Sequence, residues 1–468
     1  MTDIDPADAR ALARALRDLL ERAGQVLSAE RESPLVKLIT DHLGCPLSQV
    51  PNVTIRFDGL EHVNLQRAVD AYVAEHSPDA AWFGIAGGHP FTSLIEMLTA
   101  AAQSGSLHLA AVNYVTTAIG PDTSTEVVQF GLVRTAAPDG SPAVLAISGA
   151  REERGDPRCS VQVLAASRET AAEVRAEVEL LHRKHNVFLG QVLTFGANEH
   201  RAIQAVSFLP RPELAASDVI LPDGVLDSIE RHVVRSSALT ERLRAHGQHL
   251  KRGLLLYGPP GTGKTHTIRY LLSRLTDSTV ILLSGTAIMR MLQASSALAR
   301  RLAPAVVVVE DVDLIAESRH ISPSGNPVLF ELLNEMDGLA ADADVTFVLT
   351  TNRVEVVERA LIDRPGRIDL AVEVPRPDAD ARERLLRLYA RDAELDPTAV
   401  EEAVAATEGV AASFVKELVR RAVLTALETQ QGEEVSRLDG AALSTALAGL
   451  LDERQALTRS VLGGGATR

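Results

Sequence analysis

Residues Gly258 to Thr265 read GPPGTGKT, a spacing of glycines, lysine and threonine that suits the gripping of a polyphosphate. A run of anionic oxygens must be held without bulky side chains in the way. Gly258, Gly261 and Gly263 let successive backbone N–H groups curl around it, and Pro259, Pro260 and Thr262 complete the loop. Lys264 brings a point charge for the outer phosphates and Thr265 a hydroxyl for Mg²⁺. His266 follows in the first turn of THTIRYLLSRL, a helix whose positive end faces the same anion. Lysine occurs only five times, at Lys37, Lys184, Lys251, Lys264 and Lys416, while arginine is used freely, so a lysine at this place is not interchangeable filler.

A second cluster follows some way downstream, where AVVVVEDVD ends a valine run in adjacent acids. Such a run fits a strand buried on both faces, and Glu310 and Asp311 would then project at its C-terminal edge. One acid suits the water shell of Mg²⁺, and the next can polarise an attacking water. Glu310, with Thr265, is then expected to hold the metal and Asp311 to activate the water. Alone, the pair would read as a helix cap or surface charge rather than as a site.

These groups need a scaffold to bring them together. RGLLLY precedes the loop and a helix follows it, and strands and helices alternate regularly after residue 250, which predicts an α/β doubly wound parallel sheet over 217–375. Beyond Pro375 strands are expected to stop, and RERLLRLYARD, VEEAVAAT, FVKELVRRAVLTALE and DGAALSTALAGLLDERQAL predict a small helical lid over 376–455, with a flexible tail at 456–468. Ahead of FLPRPELAASD lies an α+β unit over 46–210. Its candidate strands are VTIRF, AAWFGIA, LHLAAVNYV, EVVQFGLV, AVLAIS and SVQVLAA, with helices near 64–76, 91–103 and 168–185. Residues 1–45 form an N-terminal helical segment, with SPLVKLITDHL as its second helix.

Composition limits the classes. A chain of 468 residues with 46% hydrophobic and 23% charged residues is ordinary globular protein of two to four domains. A formal net charge of -15 gives no overall basic field, which weighs against nucleic acid as the main partner. Cys45 and Cys159 stand apart with no C-x-x-C pair, so reduced thiols and a cytoplasmic setting are expected. His182 and His185 in LLHRKHN lack a second ligand pair at zinc spacing and read as helix-end residues. The acidic N-terminus lacks the features of a secretory signal, and no apolar run reaches the roughly 18 residues that would span a bilayer.

The ordered set GPPGTGKT, VVVVEDVD, LLNEMDGL at 332–339, TTN at 350–352 and DRPGRID at 363–369 resembles the AAA ATPases, the P-loop family that includes katanin, spastin and the proteasomal ATPases. The resemblance covers roughly 217–455. It implies Mg²⁺-dependent binding and hydrolysis of ATP, with Asn352 as sensor 1 bonding the γ-phosphate and the attacking water. It also implies that Arg364 and Arg367 are arginine fingers reaching a neighbouring subunit's site, hence a homo-oligomeric ring, usually a hexamer. Asp337, Gly338 and Leu339 match the segment that signals between subunits in that family. Taken alone, Asn352 would be a turn residue and the two arginines the decoration of a rigid turn.

This sequence departs from the family at three places. Relatives carry an aromatic pore loop where GTAIMRMLQASSALARRLAP has no aromatic, so Met289, Met291 and Leu292 read either as a soft apolar grip or as part of a buried amphipathic helix. EGVAASFVKEL replaces a Gly-Ala-Asp signature, leaving Ala412 and Ser413 as weak pocket candidates. One nucleotide module is present. The function expected is a ring-forming ATPase that remodels a protein partner recognised by the N-terminal half. The alternative is a weakly hydrolysing, ATP-gated scaffold acting through that same half.

Overall fold

The computed structural model describes residues 33–86, 94–104, 107–150, 158–196, 205–313, 327–338, 342–355, 367–391, 393–429 and 437–461. The first 32 residues of the expected N-terminal helical segment and the end of the tail lie outside the described residues. The chain divides into two compact units, one comprising Met1–Val187 with Asn198–Ser207, the other Phe188–Ala197 with Phe208–Arg468.

In the first unit α1 (Pro34–Leu43) begins with proline at its first position and ends at Gly44, whose φ of 68° is the left-handed conformation that favours glycine. Three further helices follow, α2 (His62–His76), α3 (Leu94–Ser104) and α4 (Arg168–Lys184), the last capped by Ser167, whose hydroxyl accepts from the Thr170 amide. The strands are β1 (Asn52–Asp58), β2 (Trp82–Ala86), β3 (His108–Ala110), β4 (Asn113–Ala118), β5 (Ser124–Ala136), β6 (Pro142–Ser148) and β7 (Arg158–Ala165). They pair antiparallel in the order β1-β7-β6-β5-β2-β3, with β4 also on β5. Alternation along the strands covers both faces. Val133, Leu145, Ile147, Val161 and Val163 pack with Leu65, Val69 and Tyr72 of α2 and Val174 and Val178 of α4. Leu132, Val144, Ala146 and Leu164 pack with Leu35 and Ile39 of α1 and Leu94 and Leu98 of α3.

LHLAAVNYV, read as one strand, is two: β3 pairs with β2, and β4 pairs with β5. His182 stacks on Phe57 with ring centroids 4.2 Å apart and lies 3.4 Å from the Glu61 carboxylate, so it is a core residue rather than a solvated helix end.

The second unit is built on β8 (Val192–Gly196), β9 (Ala205–Leu209), β10 (Arg252–Tyr257), β11 (Thr279–Leu283), β12 (Ala305–Val309), β13 (Val345–Thr351) and β14 (Leu370–Glu373), in the order β14-β10-β13-β12-β11-β8-β9. The pairings from β14 through β8 are parallel. All five residues of β12 are buried, which accounts for the unbroken apolar run. On one face Leu254, Leu256, Val306, Val308 and Val348 pack with Ile268, Leu271 and Leu272 of α5 (Lys264–Arg274). On the sheet's other side α6 (Thr286–Arg301) contacts β11 and β12 and packs against α7 (Pro327–Asp337).

Two boundaries differ from the sequence reading. β8 pairs in parallel with β11, so the nucleotide-type sheet recruits chain from Phe188 onward, earlier than the boundary expected near residue 210. Arg211 reinforces that addition by donating to the carbonyls of Gly190, Leu272, Leu275 and Ser278, which ties the segment before β8 to the C-terminal end of α5. Beyond Pro375 strands do not stop entirely. α8 (Ala379–Ala390), α9 (Pro397–Ala406), α10 (Ala412–Thr429) and α11 (Gly440–Val461) form one cluster around Leu386, Val400, Leu418 and Leu443, and a two-residue pairing of β15 (Glu394–Leu395) with β16 (Arg437–Leu438) joins its loops.

Candidate nucleotide site

The strand order decides which loops meet. β10 lies beside β13 and β13 beside β12, so the segments leaving their C-terminal ends converge: the glycine loop after Tyr257, Asn352 after Thr351, and the two acids after Val309. The loop has the backbone its glycines permit. Gly258, Gly261 and Gly263 take φ values of 145°, 76° and 114°, and a β-carbon at Gly258 would lie 2.3 Å from the Val374 carbonyl oxygen. Thr262 closes the loop locally by donating from its hydroxyl to the Pro259 carbonyl at 3.0 Å.

Lys264 is 6% exposed and sits at the centre of the convergence. Its Nζ donates to the carbonyls of Gly258 at 2.8 Å and Pro259 at 3.0 Å and to Oδ1 of Asn352 at 2.8 Å. Burial pulls its pKa below the usual lysine value, and the charges of Asp311 and Asp313 act against that pull. Asn352 in turn donates from Nδ2 to Asp311 Oδ1 at 3.1 Å, so one amide bridges the loop cation and the acid. Asp311 has a φ of 52°, a left-handed backbone uncommon for a residue with a side chain, and its amide donates to the Thr350 hydroxyl at 2.9 Å.

Thr265, at the start of α5, is exposed, and its hydroxyl bonds the Glu310 carboxyl. Burial raises the pKa of that carboxyl, the Thr265 bond lowers it and the neighbouring Asp311 charge raises it further. A hydroxyl and a carboxylate side by side are hard oxygen donors of the kind Mg²⁺ takes, with room in its remaining shell for water and phosphate. The donor set therefore fits that ion.

Two expected residues have partners elsewhere. His266 turns its Nε2 to the carbonyl of Asp218 at 2.9 Å, so its ring serves the approach to the unit and not the phosphate loop. Arg367 is 3% exposed, and its Nε donates to both carboxylate oxygens of Asp337, at 2.9 and 3.0 Å, while its Nη2 pairs with the same group. That fork is engaged within its own chain, where it fastens the segment before β14 to the end of α7. Arg364 and Leu339 lie outside the described residues. In the pore-loop stretch Met291 and Leu292 are buried while Met289 is 54% exposed, so the stretch is an amphipathic helix with one free methionine.

Sequence reasoning missed Asp313. It is buried, and its Oδ1 accepts from the Thr351 hydroxyl and from the Asn352 amide, both at 3.0 Å. A third acid in EDVD was the available signal. Ser413, a weak candidate on sequence, sits against the loop: its amide donates to the Gly261 carbonyl at 3.0 Å, and a β-carbon on Gly261 would lie 2.2 Å from its hydroxyl.

Residues 254–376 match the family model described as the ATPase family associated with various cellular activities (AAA). Among curated relatives, the 26S protease regulatory subunit 6A of Caenorhabditis elegans is 32% identical over 202 residues, 40% of this chain and 46% of that protein. The 26S proteasome regulatory subunit 8 homolog of Schizosaccharomyces pombe is 37% identical over 158 residues, 31% of this chain and 39% of that protein. The 26S proteasome regulatory subunit 6A of Encephalitozoon cuniculi is 28% identical over 237 residues, 48% of this chain and 59% of that protein. The chain thus spans less than two thirds of the length of each of these relatives. Among the described residues no helix is long and apolar enough to cross a membrane. The chain carries an AAA-type ATPase domain over residues 254–376, similar to that of the proteasomal regulatory subunits.

Proposed function

We propose that this protein is a Mg²⁺-dependent ATPase whose subunits assemble into a ring, and that it uses turnover to remodel or dismantle a protein partner recognised by residues 46–187. The observation that carries the reading is the meeting of Lys264, Asn352, Asp311 and the Thr265–Glu310 pair at one edge of a parallel sheet. The amides of the glycine loop and the N-terminus of α5 hold the phosphates, and Lys264 exchanges its carbonyl partners for the outer phosphate oxygens.

Thr265 and Glu310 would hold Mg²⁺, which when bound supplies charge neutralisation at the β- and γ-phosphate oxygens. Asp311 then accepts the proton of the attacking water, and Asn352, already bonded to Asp311 and Lys264, fixes that water against the phosphate. Arg364 would complete the site from the adjoining subunit, a planar fork suited to charge spread over the phosphoryl oxygens. One chain alone is then incomplete, and this is why a ring is proposed.

Mixing wild-type protein with a minority of Arg364→Ala subunits and following phosphate release at saturating ATP tests the reading. A fall steeper than the mutant fraction supports turnover shared between subunits. A fall in simple proportion removes the ring from the account.

A further inference from the structure

We infer that Asp313 is a positioning residue that aims Asn352 at the reaction, an inference that rests on the ATPase reading above. Asp313 follows β12, whereas Asn352 follows the neighbouring strand β13, and each strand end is free to splay once its ladder hydrogen bonds stop. The Asp313 carboxylate bridges that gap. One oxygen accepts two bonds, from the Asn352 backbone amide and from the Thr351 hydroxyl, both at 3.0 Å. The Thr351 hydroxyl also accepts from the Arg353 amide at 3.0 Å, so three consecutive residues are fixed about one buried acid.

The Asn352 side chain leaves this fixed backbone with both ends engaged, Oδ1 on Lys264 and Nδ2 on Asp311. An amide that must face a cation with its oxygen and an acid with its nitrogen cannot turn over without losing both bonds. Asp313 touches neither Lys264 nor Asp311 through a hydrogen bond. Its effect on chemistry therefore runs through the backbone it holds, and a shift of about 1 Å in a group so held costs on the order of 100-fold in rate. The charge of Asp313 also helps Lys264 keep its proton, but Asp311 acts on the lysine in the same sense and remains when Asp313 is removed.

Asp313→Ala and Asp313→Asn in the full chain test this. The asparagine keeps a carbonyl oxygen to accept both bonds and loses only the charge, whereas alanine leaves the half-buried Asn352 amide without its acceptor. Asp313→Ala is expected to lower kcat by about 10- to 100-fold with KM for ATP changed by less than about threefold, and Asp313→Asn to recover most of the loss. Hydrogen exchange of the peptide spanning 350–353, measured without nucleotide, is expected to quicken in Asp313→Ala and to stay near wild type in Asp313→Asn. Equal losses in the two variants would make charge, not positioning, the cause. Unchanged exchange in the alanine variant would overturn the inference even were the protein to hydrolyse nothing. Absent wild-type turnover with quickened exchange would sink the ATPase reading and leave the role of Asp313 in place.

Discussion

Asp311→Asn separates the chemistry of the site from its architecture. The backbone at this position has a φ of 52°, and asparagine is among the residues that tolerate this conformation best, so the change adds little strain. The side-chain carbonyl that replaces Oδ1 still accepts from Asn352 Nδ2, and the hydrogen bond to the Thr350 hydroxyl is donated by the backbone amide of residue 311, which the substitution leaves in place. Lys264 keeps its three hydrogen bonds and the charge of Asp313. What disappears is one negative charge able to take a proton. A positioned general base is worth about 10²–10⁴-fold, or about 3–5 kcal/mol of barrier, so kcat should fall by that factor while the affinity for ATP stays within about threefold. Phosphate release under saturating ATP and Mg²⁺, with binding measured separately by calorimetry, reads both quantities. Turnover within twofold of wild type would refute the role given to Asp311. If Glu310→Gln alone produced the pattern, the two acids would have to exchange roles. Asp311→Ala gives a control on the backbone argument, since alanine adds about 1 kcal/mol of left-handed strain and should melt earlier than the asparagine variant.

Two further predictions address stability. The pKa of Glu310 is raised by burial and by Asp311, so its ionised form costs stability at pH values above the ordinary glutamate range, and the cost vanishes below that range where folded and unfolded chains are both protonated. Glu310→Gln should therefore melt higher than wild type near neutral pH, with the gain disappearing on acidification, and a variant that melts lower at neutral pH would contradict the cause assigned. Gly261→Ala places a β-carbon 2.2 Å from the Ser413 hydroxyl at a φ of 76° and should cost about 1–2 kcal/mol in strain before any displacement of α10. Ser413→Ala in the same chain should return part of the loss of melting temperature; additivity within about 0.5 kcal/mol would mean that the loop and the lid do not meet there.

The glycine loop was legible because its requirements are local: three backbone conformations open to glycine and one lysine fall within eight residues. β12 was legible for a similar reason, since a strand buried on both faces must be apolar at every position. Asp313 and Arg367 were not, because their partners are set by strand order and helix placement. Asp313 meets residues 38 and 39 positions away across a β12–β13 pairing, and Arg367 meets Asp337 from 30 positions away. A guanidinium near a Pro-Gly turn looks the same in sequence whether it projects into solvent or folds back on an acid. The segment that holds β8 was placed with the first unit because a five-residue run does not say which sheet it joins, and its partner β11 lies beyond β9, β10 and α5. The splitting of LHLAAVNYV into β3 and β4 has the same origin, since each half pairs with a different strand.

The central claim is that this convergence binds ATP with Mg²⁺ through Lys264. Removing a cation about 4 Å from a phosphate charge in a site of intermediate polarity forfeits about 4 kcal/mol, offset in part because the lysine gives up its bonds to Gly258 and Pro259 when phosphate arrives. Titration calorimetry of the full chain with ATP and Mg²⁺ should show binding in the wild type and a loss of affinity of about 100- to 1,000-fold in Lys264→Ala. No heat from the wild type, or equal affinity in the two proteins, would contradict the account.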